Sequence, residues 1–296
     1  MNIVFYTNCA GDVIRNMFQN HPFTKDKCNV SYFHNYENLH KTNIDNNHKQ
    51  LLNKCDIFIY QPMNKSYDYS EYNINKIRNY LKKECKIIRV NFYRTRAFWY
   101  EGTYIPYIKY GKYSFHTING IFKDFINIKN KNDKKEVINF INNIQIDEKD
   151  FIKFFESELE KIKILDECSD VKMYNFFKLN YNDNLLFFDP FHPTNIFFYE
   201  IFRQLVKQIH NHELPEKDLD FLNDPKIKDI ERTEWTIPIL PLIKTMLKLN
   251  YEDIIPCFHP VQGGHPKKLY MNTYDNYYIR LSPNNFKEYL DLVGSK

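Results

Sequence analysis

A chain of 296 residues with 43% hydrophobic and 17% aromatic side chains can bury a sizeable core and is not a disordered segment. Its formal net charge of +4, from 41 basic and 37 acidic residues, is too balanced for a dedicated nucleic-acid binder. With only 7 glycines it carries neither GxGxxG nor GxxxxGK(S/T), which argues against a Rossmann dinucleotide enzyme or a P-loop nucleoside triphosphatase. The 6 cysteines (Cys9, Cys28, Cys55, Cys85, Cys168, Cys257) form no CxxC pair and no Cys/His ligand spacing, so reduced thiols and no metal are expected. No apolar run is long enough to span a bilayer and no signal peptide is evident, so a cytoplasmic location is expected.

In chain order, Ile3–Tyr6 is an apolar run, Thr7–Gly11 is a turn, and Val13, Ile14, Met17 and Phe18 recur at helical spacing. This predicts strand, tight turn, helix. Cys9 then stands at the end of the first strand and the start of the first helix, where free N–H groups and the helix dipole favour a thiolate or an anion. The competing reading is a small buried hydrophobe. Asn29–His34 and Asp56–Tyr60 read as the second and third strands, with a short helix over Asp45–Lys54 between them. Ser70 is placed as the cap of a helix with Ile74, Ile77 and Leu81 on one face, and Lys86–Asn91 is the fourth strand. Strands alternating with helices at this rhythm predict a doubly wound, mainly parallel α/β sheet of about five strands. Ligands in such sheets bind beyond the carboxyl ends of the strands, an edge expected to gather Asn8, Cys9, Gln61 and Asn91.

The segment Phe92–Ser114 is irregular, aromatic and basic. It is either a loop packed by its own rings or a nucleotide site, with Arg94 and Arg96 on phosphate and Phe98, Trp99 and Tyr100 against a base. Helices are predicted over Asp133–Asn143, Glu148–Glu167 and Asp170–Leu179, and Leu185–Phe188 is read as a fifth strand. The whole is read as a single α/β domain over residues 1–296, with a mainly helical cap insertion at about 115–182 and a helical carboxyl-terminal region at about 211–296. After the fifth strand come Asp189-Pro190-Phe191-His192-Pro193-Thr194, with Thr194 as the cap of a helix carrying Phe198, Phe202, Leu205 and Ile209. An Asp three residues before a His is the spacing of the last two triad members in SGNH hydrolases. It is also a common turn, with the histidine a mere cap. Farther on, Leu214–Asp224 and Pro238–Leu249 look helical, Asn250–Lys268 reads as a loop, Tyr277–Leu281 as a strand and Ser282–Leu292 as a helix. Lys267, Lys268 and Arg280 are either phosphate contacts or ordinary surface charge.

The NCAG turn, the DIFIYQP run, the FYRTRAFWY segment and the LFFDPFHPTN junction together resemble the WcbI-type polysaccharide biosynthesis acetyltransferases over roughly residues 1–210. Thr7 and Ala10 stand where that family's turn usually carries glycine and glutamine. The resemblance implies acyl transfer from acetyl-CoA, a co-substrate, to an amino or hydroxyl group of a sugar or nucleotide-sugar acceptor, with no metal. It implies Cys9 as nucleophile or wall of the thioester site and His192 as base; Asp189 joins them on spacing. The N–H groups of Ala10 and Gly11 with the Asn8 or Gln61 amide would hold the oxyanion, and Arg15, Arg94 and Arg96 the anionic coenzyme. Two rival classes stay open: a hydrolase of SGNH type, such as a thioesterase or sugar deacetylase, and a non-catalytic protein that binds coenzyme A or a nucleotide.

Overall fold

The computed structural model describes residues 1–38, 40–62, 69–100, 108–110, 113–115, 143, 145–228, 239, 241–251, 255–259 and 267–271. The chain divides into two compact units, one of Met1–Tyr93, Lys161–Phe177 and Thr194–Glu231, the other of Arg94–Glu160, Lys178–Pro193 and Arg232–Lys296.

The first unit is built on a four-stranded parallel sheet in the order β2-β1-β3-β4. Its strands are β1 (Asn2–Thr7), β2 (Asn29–His34), β3 (Ile57–Tyr60) and β4 (Lys86–Arg89). β1 and β3 are buried along almost their whole length because both faces are covered, which is why they read as continuous apolar runs. On one face Phe5 meets Phe18 of α1 (Ala10–Asn20), and Phe18 in turn meets Phe202 of the helix Asn195–His210 edge-on at 4.9 Å. On the other, Val4, Tyr6, Phe58 and Tyr60 pack with Phe33, Leu52, Tyr72 and Ile77, under α2 (Asn46–Asn53) and α3 (Ile74–Ile77). Because β2 lies to one side of β1 and β3 to the other, the strand order reverses between β1 and β3. The chain leaves these strands in opposite directions and opens a crevice at their carboxyl ends.

Helix α4 (Glu148–Glu167) has the predicted bounds and buries Phe151, Phe155 and Ile162. α5 covers Tyr174–Asn180 and starts four residues later than the apolar spacing predicts, because the Asp166 carboxylate accepts from the N–H groups of Met173 and Tyr174 and fixes the start there. α6 (Asn195–His210) has Thr194 in the cap position, as expected, and ends on Asn211 in the left-handed region at φ 51°. Two short helices follow: α7 (Leu219–Asn223) lies within the helical stretch predicted over Leu214–Asp224, and α8 (Pro225–Lys228) lies beyond it.

Ser70 is not a helix cap. The Asn73 side chain accepts from Asn75 N–H at the start of α3, while the Ser70 hydroxyl accepts from Tyr72 N–H and sits against the Asn38 and Lys41 carbonyls.

Among the described residues the second unit holds three short antiparallel ribbons and α9 (Pro241–Leu247). β5 (Ile108–Tyr110) pairs with β6 (Tyr113–Phe115). The fifth predicted strand is β7 (Phe187–Asp189), and it does not extend the parallel sheet: it pairs antiparallel with β8 (His192–Pro193). The reason is local. Asp189 Oδ1 accepts from the N–H groups of both Phe191 and His192, which turns the chain straight back. β9 (Ile255–His259) and β10 (Lys267–Met271) form a hairpin where a loop is predicted. The helix predicted at 133–143 lies, but for Asn143, outside the described residues, as do the strand and helix predicted at 277–292. Among the described residues no helix is long and apolar enough to cross a membrane.

Candidate functional site

Two clusters carry the predicted chemistry, one in each unit. In the first unit, Cys9 is exposed at the N-cap position of α1, directly beyond the carboxyl end of β1. The turn that presents it is held from below. The Asn8 carbonyl accepts from Gly11 N–H at 3.0 Å, from the Tyr32 hydroxyl at 2.6 Å and from the Thr7 hydroxyl at 3.1 Å. Asn8 Oδ1 accepts from Ala10 N–H at 3.0 Å. Gln61, at the carboxyl end of β3, reaches across the crevice: its Oε1 accepts from Asn8 N–H at 3.0 Å and from Asn35 Nδ2 at 3.2 Å. The crevice predicted from the sheet order is therefore bridged by a side-chain network that ends at Cys9.

This network reassigns the oxyanion donors. The N–H groups of Ala10 and Gly11 are consumed inside the turn, so neither is available to a ligand, contrary to expectation. Both side-chain amides, by contrast, have their oxygens turned inward as acceptors, which fixes which end is nitrogen. Asn8 Nδ2 and Gln61 Nε2 have no acceptor among the described residues, and neither does Cys9 N–H. Asn91 is not part of the group. It is buried, its amide donates to the Leu165 carbonyl at 2.6 Å and its N–H to Ser169 Oγ at 3.3 Å, so it ties the last turn of α4 and the residues just after it to the chain leaving β4. A position at a strand end does not say which way the side chain turns.

Arg15, one turn into α1, pairs with Asp12 at 2.8 Å and lies 5.7 Å from the centre of the Tyr32 ring, while its Nε is shut off from solvent with no partner among the described residues. Tyr32 thus supports both the Cys9 turn, through its hydroxyl, and Arg15, through its ring. Sequence reasoning missed Tyr32 and Asn35. The signal available was position: Tyr32 is the register partner of Phe5 on β1, and Asn35 follows β2 as Asn8 follows β1.

In the second unit, Asp189 is fully buried and its Oδ2 lies 2.7 Å from His192 Nδ1. A carboxylate accepts, so Nδ1 is the nitrogen that donates to Asp189, the pairing that orients a histidine acting as a general base. The backbone bonds to Asp189 Oδ1 hold the carboxylate rigid. Thr95 N–H donates to the Pro190 carbonyl at 3.0 Å, and the exposed Arg94 guanidinium lies 5.1 Å from the centre of the Phe191 ring, next to the histidine.

The remaining basic and aromatic candidates divide. Arg96 is committed to Glu158, itself 3% exposed, by its N–H at 2.7 Å and its guanidinium at 3.6 Å, so its charge is already balanced. Trp99 and Phe98 are core residues, 1% and 0% exposed and packed edge-on, so they present no face to a nucleotide base. Burial of apolar surface decides the fate of this aromatic run. Lys267 and Lys268 lie on β10, opposite His259 and Phe258, and not in a loop.

Fold and site together describe an α/β protein whose parallel sheet presents a cysteine at the reversal of its strand order. A family profile described as "Polysaccharide biosynthesis enzyme WcbI" matches residues 2–214. The chain belongs to the WcbI family of polysaccharide biosynthesis enzymes. Among solved structures, one of WcbI is similar over 100% of this chain and 95% of its own, with a TM-score of 0.62 and 12% identity, which establishes a shared fold. That structure is described as the native protein without a disulfide bond between coenzyme A and one of its cysteines. No curated protein matches the chain.

Proposed function

We propose that this enzyme transfers an acetyl group from acetyl-CoA to an amino or hydroxyl group of a sugar or nucleotide-sugar acceptor. The observation that carries the reading is Cys9, exposed beside three unspent donors: its own N–H, Asn8 Nδ2 and Gln61 Nε2. Such donors fit the oxygen of a thioester carbonyl as it takes on negative charge. That a related fold is described with reference to coenzyme A and a cysteine supports the choice of thioester. Arg15 and Arg94 are the basic groups assigned to the coenzyme's phosphates, and Arg96 is withdrawn from that role by Glu158.

In the ping-pong form, the Cys9 thiolate attacks the thioester carbon, the bond to the coenzyme's sulfur breaks, and coenzyme A leaves as its thiolate, which takes a proton from solvent. The acceptor then attacks the acetyl-cysteine, the bond from the acyl carbon to the Cys9 sulfur breaks to restore the thiolate, and the acceptor's proton goes to a base, the role this reading gives to His192 with Asp189 orienting its ring. In the direct form the acceptor attacks acetyl-CoA itself, and Cys9 lines the thioester site. Mass spectrometry of the protein with acetyl-CoA and a panel of nucleotide-activated amino sugars tests both. Acetylated sugar is the expected product, with an acetyl adduct on Cys9 if the ping-pong form operates. His192→Ala is expected to lower turnover about 10²–10⁴-fold. Retention of activity in Cys9→Ala selects direct transfer. Acetyl-CoA consumption that no acceptor accelerates overturns transfer in favour of hydrolysis.

A further inference from the structure

Within the first unit a second cavity, of about 410 Å³, opens at the β4 side of the sheet, lined by Tyr60, Arg78, Arg89, Ser169 and Lys172 among others. Tyr60 and Arg89 are register partners at the carboxyl ends of β3 and β4. Arg89 is clamped by its backbone: its N–H donates to Asp170 Oδ2 at 2.7 Å, and its carbonyl accepts from Asp170 N–H at 2.8 Å and from Ser169 Oγ at 3.3 Å. Its side chain therefore leaves the strand from a fixed point. Among the described residues neither Arg78 nor Arg89 has a side-chain partner, and Arg89 Nε is closed off from solvent with its donor unmet. Lys172 adds an ammonium that spends one bond on the Asp166 carbonyl.

Of the two carboxylates on the walls, Asp170 is already an acceptor for Arg89 N–H, and Glu167 ends α4. Neither guanidinium is paired with a carboxylate among the described residues, and the Arg89 Nε donor, closed off from solvent, stays unsatisfied unless an acceptor such as an anion completes the site. Guanidinium forks with nearby hydroxyls are the geometry that binds phosphate oxygens. We propose that this cavity binds the phosphate of a phosphorylated ligand through Arg78, Arg89 and Lys172. A volume of this order suits a small phosphorylated molecule.

The inference stands apart from the acyl-transfer reading, since its test involves no turnover. Pyrophosphate is titrated calorimetrically into the full-length protein at low ionic strength. The expected result is saturable binding that Arg78→Gln and Arg89→Gln each weaken at least tenfold, and that Arg89→Lys weakens less. Arg78 is exposed, on the short 3-10 helix Arg78–Tyr80 that follows α3, so Arg78→Gln keeps the test decisive should Arg89→Gln fail to fold. Absence of pyrophosphate binding, or binding unchanged by Arg78→Gln, overturns the proposal. Competition identifies the source of the phosphate: displacement of pyrophosphate by coenzyme A assigns the cavity to the coenzyme, and displacement by a nucleotide-sugar alone assigns it to the acceptor.

Discussion

At the scale of single residues, Gln61 separates two functions that one side chain performs. Its oxygen holds the Cys9 turn and its nitrogen is the proposed oxyanion donor. Gln61→Glu keeps the acceptor for Asn8 N–H and Asn35 Nδ2 but removes the donor and sets a negative charge beside Cys9. Thermal stability is expected to hold within a few degrees while turnover falls about 10²–10³-fold, the usual cost of losing one oxyanion donor. Full activity in Gln61→Glu would remove the amide from the mechanism. The cysteines differ as sharply. Cys9 and Cys168 are exposed, whereas the Cys55 thiol is buried and is pushed up by its hydrogen bond to Cys85 and by burial. Burial also pushes the Cys28 thiol up. Timed iodoacetamide labelling read by peptide mass spectrometry is expected to modify Cys9 and Cys168 first, Cys28 later and Cys55 only on unfolding. Labelling of Cys55 as fast as Cys9 contradicts this order.

At the scale of elements, the joint between β1 and α1 depends on a close approach. A Cβ added to Gly11 would lie 1.8 Å from Thr7 Oγ1 and 2.8 Å from Thr7 Cβ, and Thr7 is fully buried. Helix propensity alone favours alanine over glycine by about 1 kcal/mol, but the overlap outweighs it. Gly11→Ala is expected to destabilise the fold by about 1–3 kcal/mol in urea unfolding, as overpacking does. Combining it with Thr7→Gly, which removes both contacting atoms, should recover part of that loss; strict additivity of the two changes would refute the contact as the cause. The same joint shows what a sequence can and cannot disclose. The repeats of α1 and α4 and the continuous apolar run of β1 are long enough to read in the sequence, and the strand order then placed Cys9 and Gln61 together. Asn91 and Trp99 were misjudged because the direction of a side chain at a strand end, and the competition between core and ligand for an aromatic ring, are settled by tertiary packing. β7 was recognised as a strand but not by its partner. A strand of 3 residues shows no repeat, and the Asp189 carboxylate, not hydrophobic pattern, decides where it pairs.

At the scale of the whole molecule, its 10 histidines make its charge most sensitive to pH just below neutrality. Three in the first unit are held below the ordinary histidine range, in each case chiefly by burial. They are His21, His48 and His210. His21 Nδ1 accepts from Phe23 N–H at 3.2 Å, and His48 Nδ1 lies within hydrogen-bond distance, 2.8 Å, of the Tyr72 hydroxyl, whose oxygen also accepts from Asp45 N–H. Protonating His21 abolishes its bond from Phe23 N–H, since both partners would then be donors. For a histidine whose folded pKa is depressed, the unfolded chain binds more protons in the window between the two values. Stability is therefore full above the unfolded value of about 6.5 and falls as the pH drops below it. The carboxylates held low by partners, Asp56 by Asn2 N–H and Lys82 and Glu213 by Lys207, act in the opposite range of the scale and lose their contribution only near or below the ordinary carboxylate values. Acidification from pH 7.5 to 5.5 also adds positive charge to a chain already at +4, which works in the same direction. The urea midpoint is thus expected to decline between pH 7 and 5.5, with a shallower decline in His21→Gln, whose side chain keeps an acceptor for Phe23 N–H but cannot ionise. A midpoint that does not change across that window, or an unaltered slope in His21→Gln, would show that the buried imidazoles do not govern acid stability.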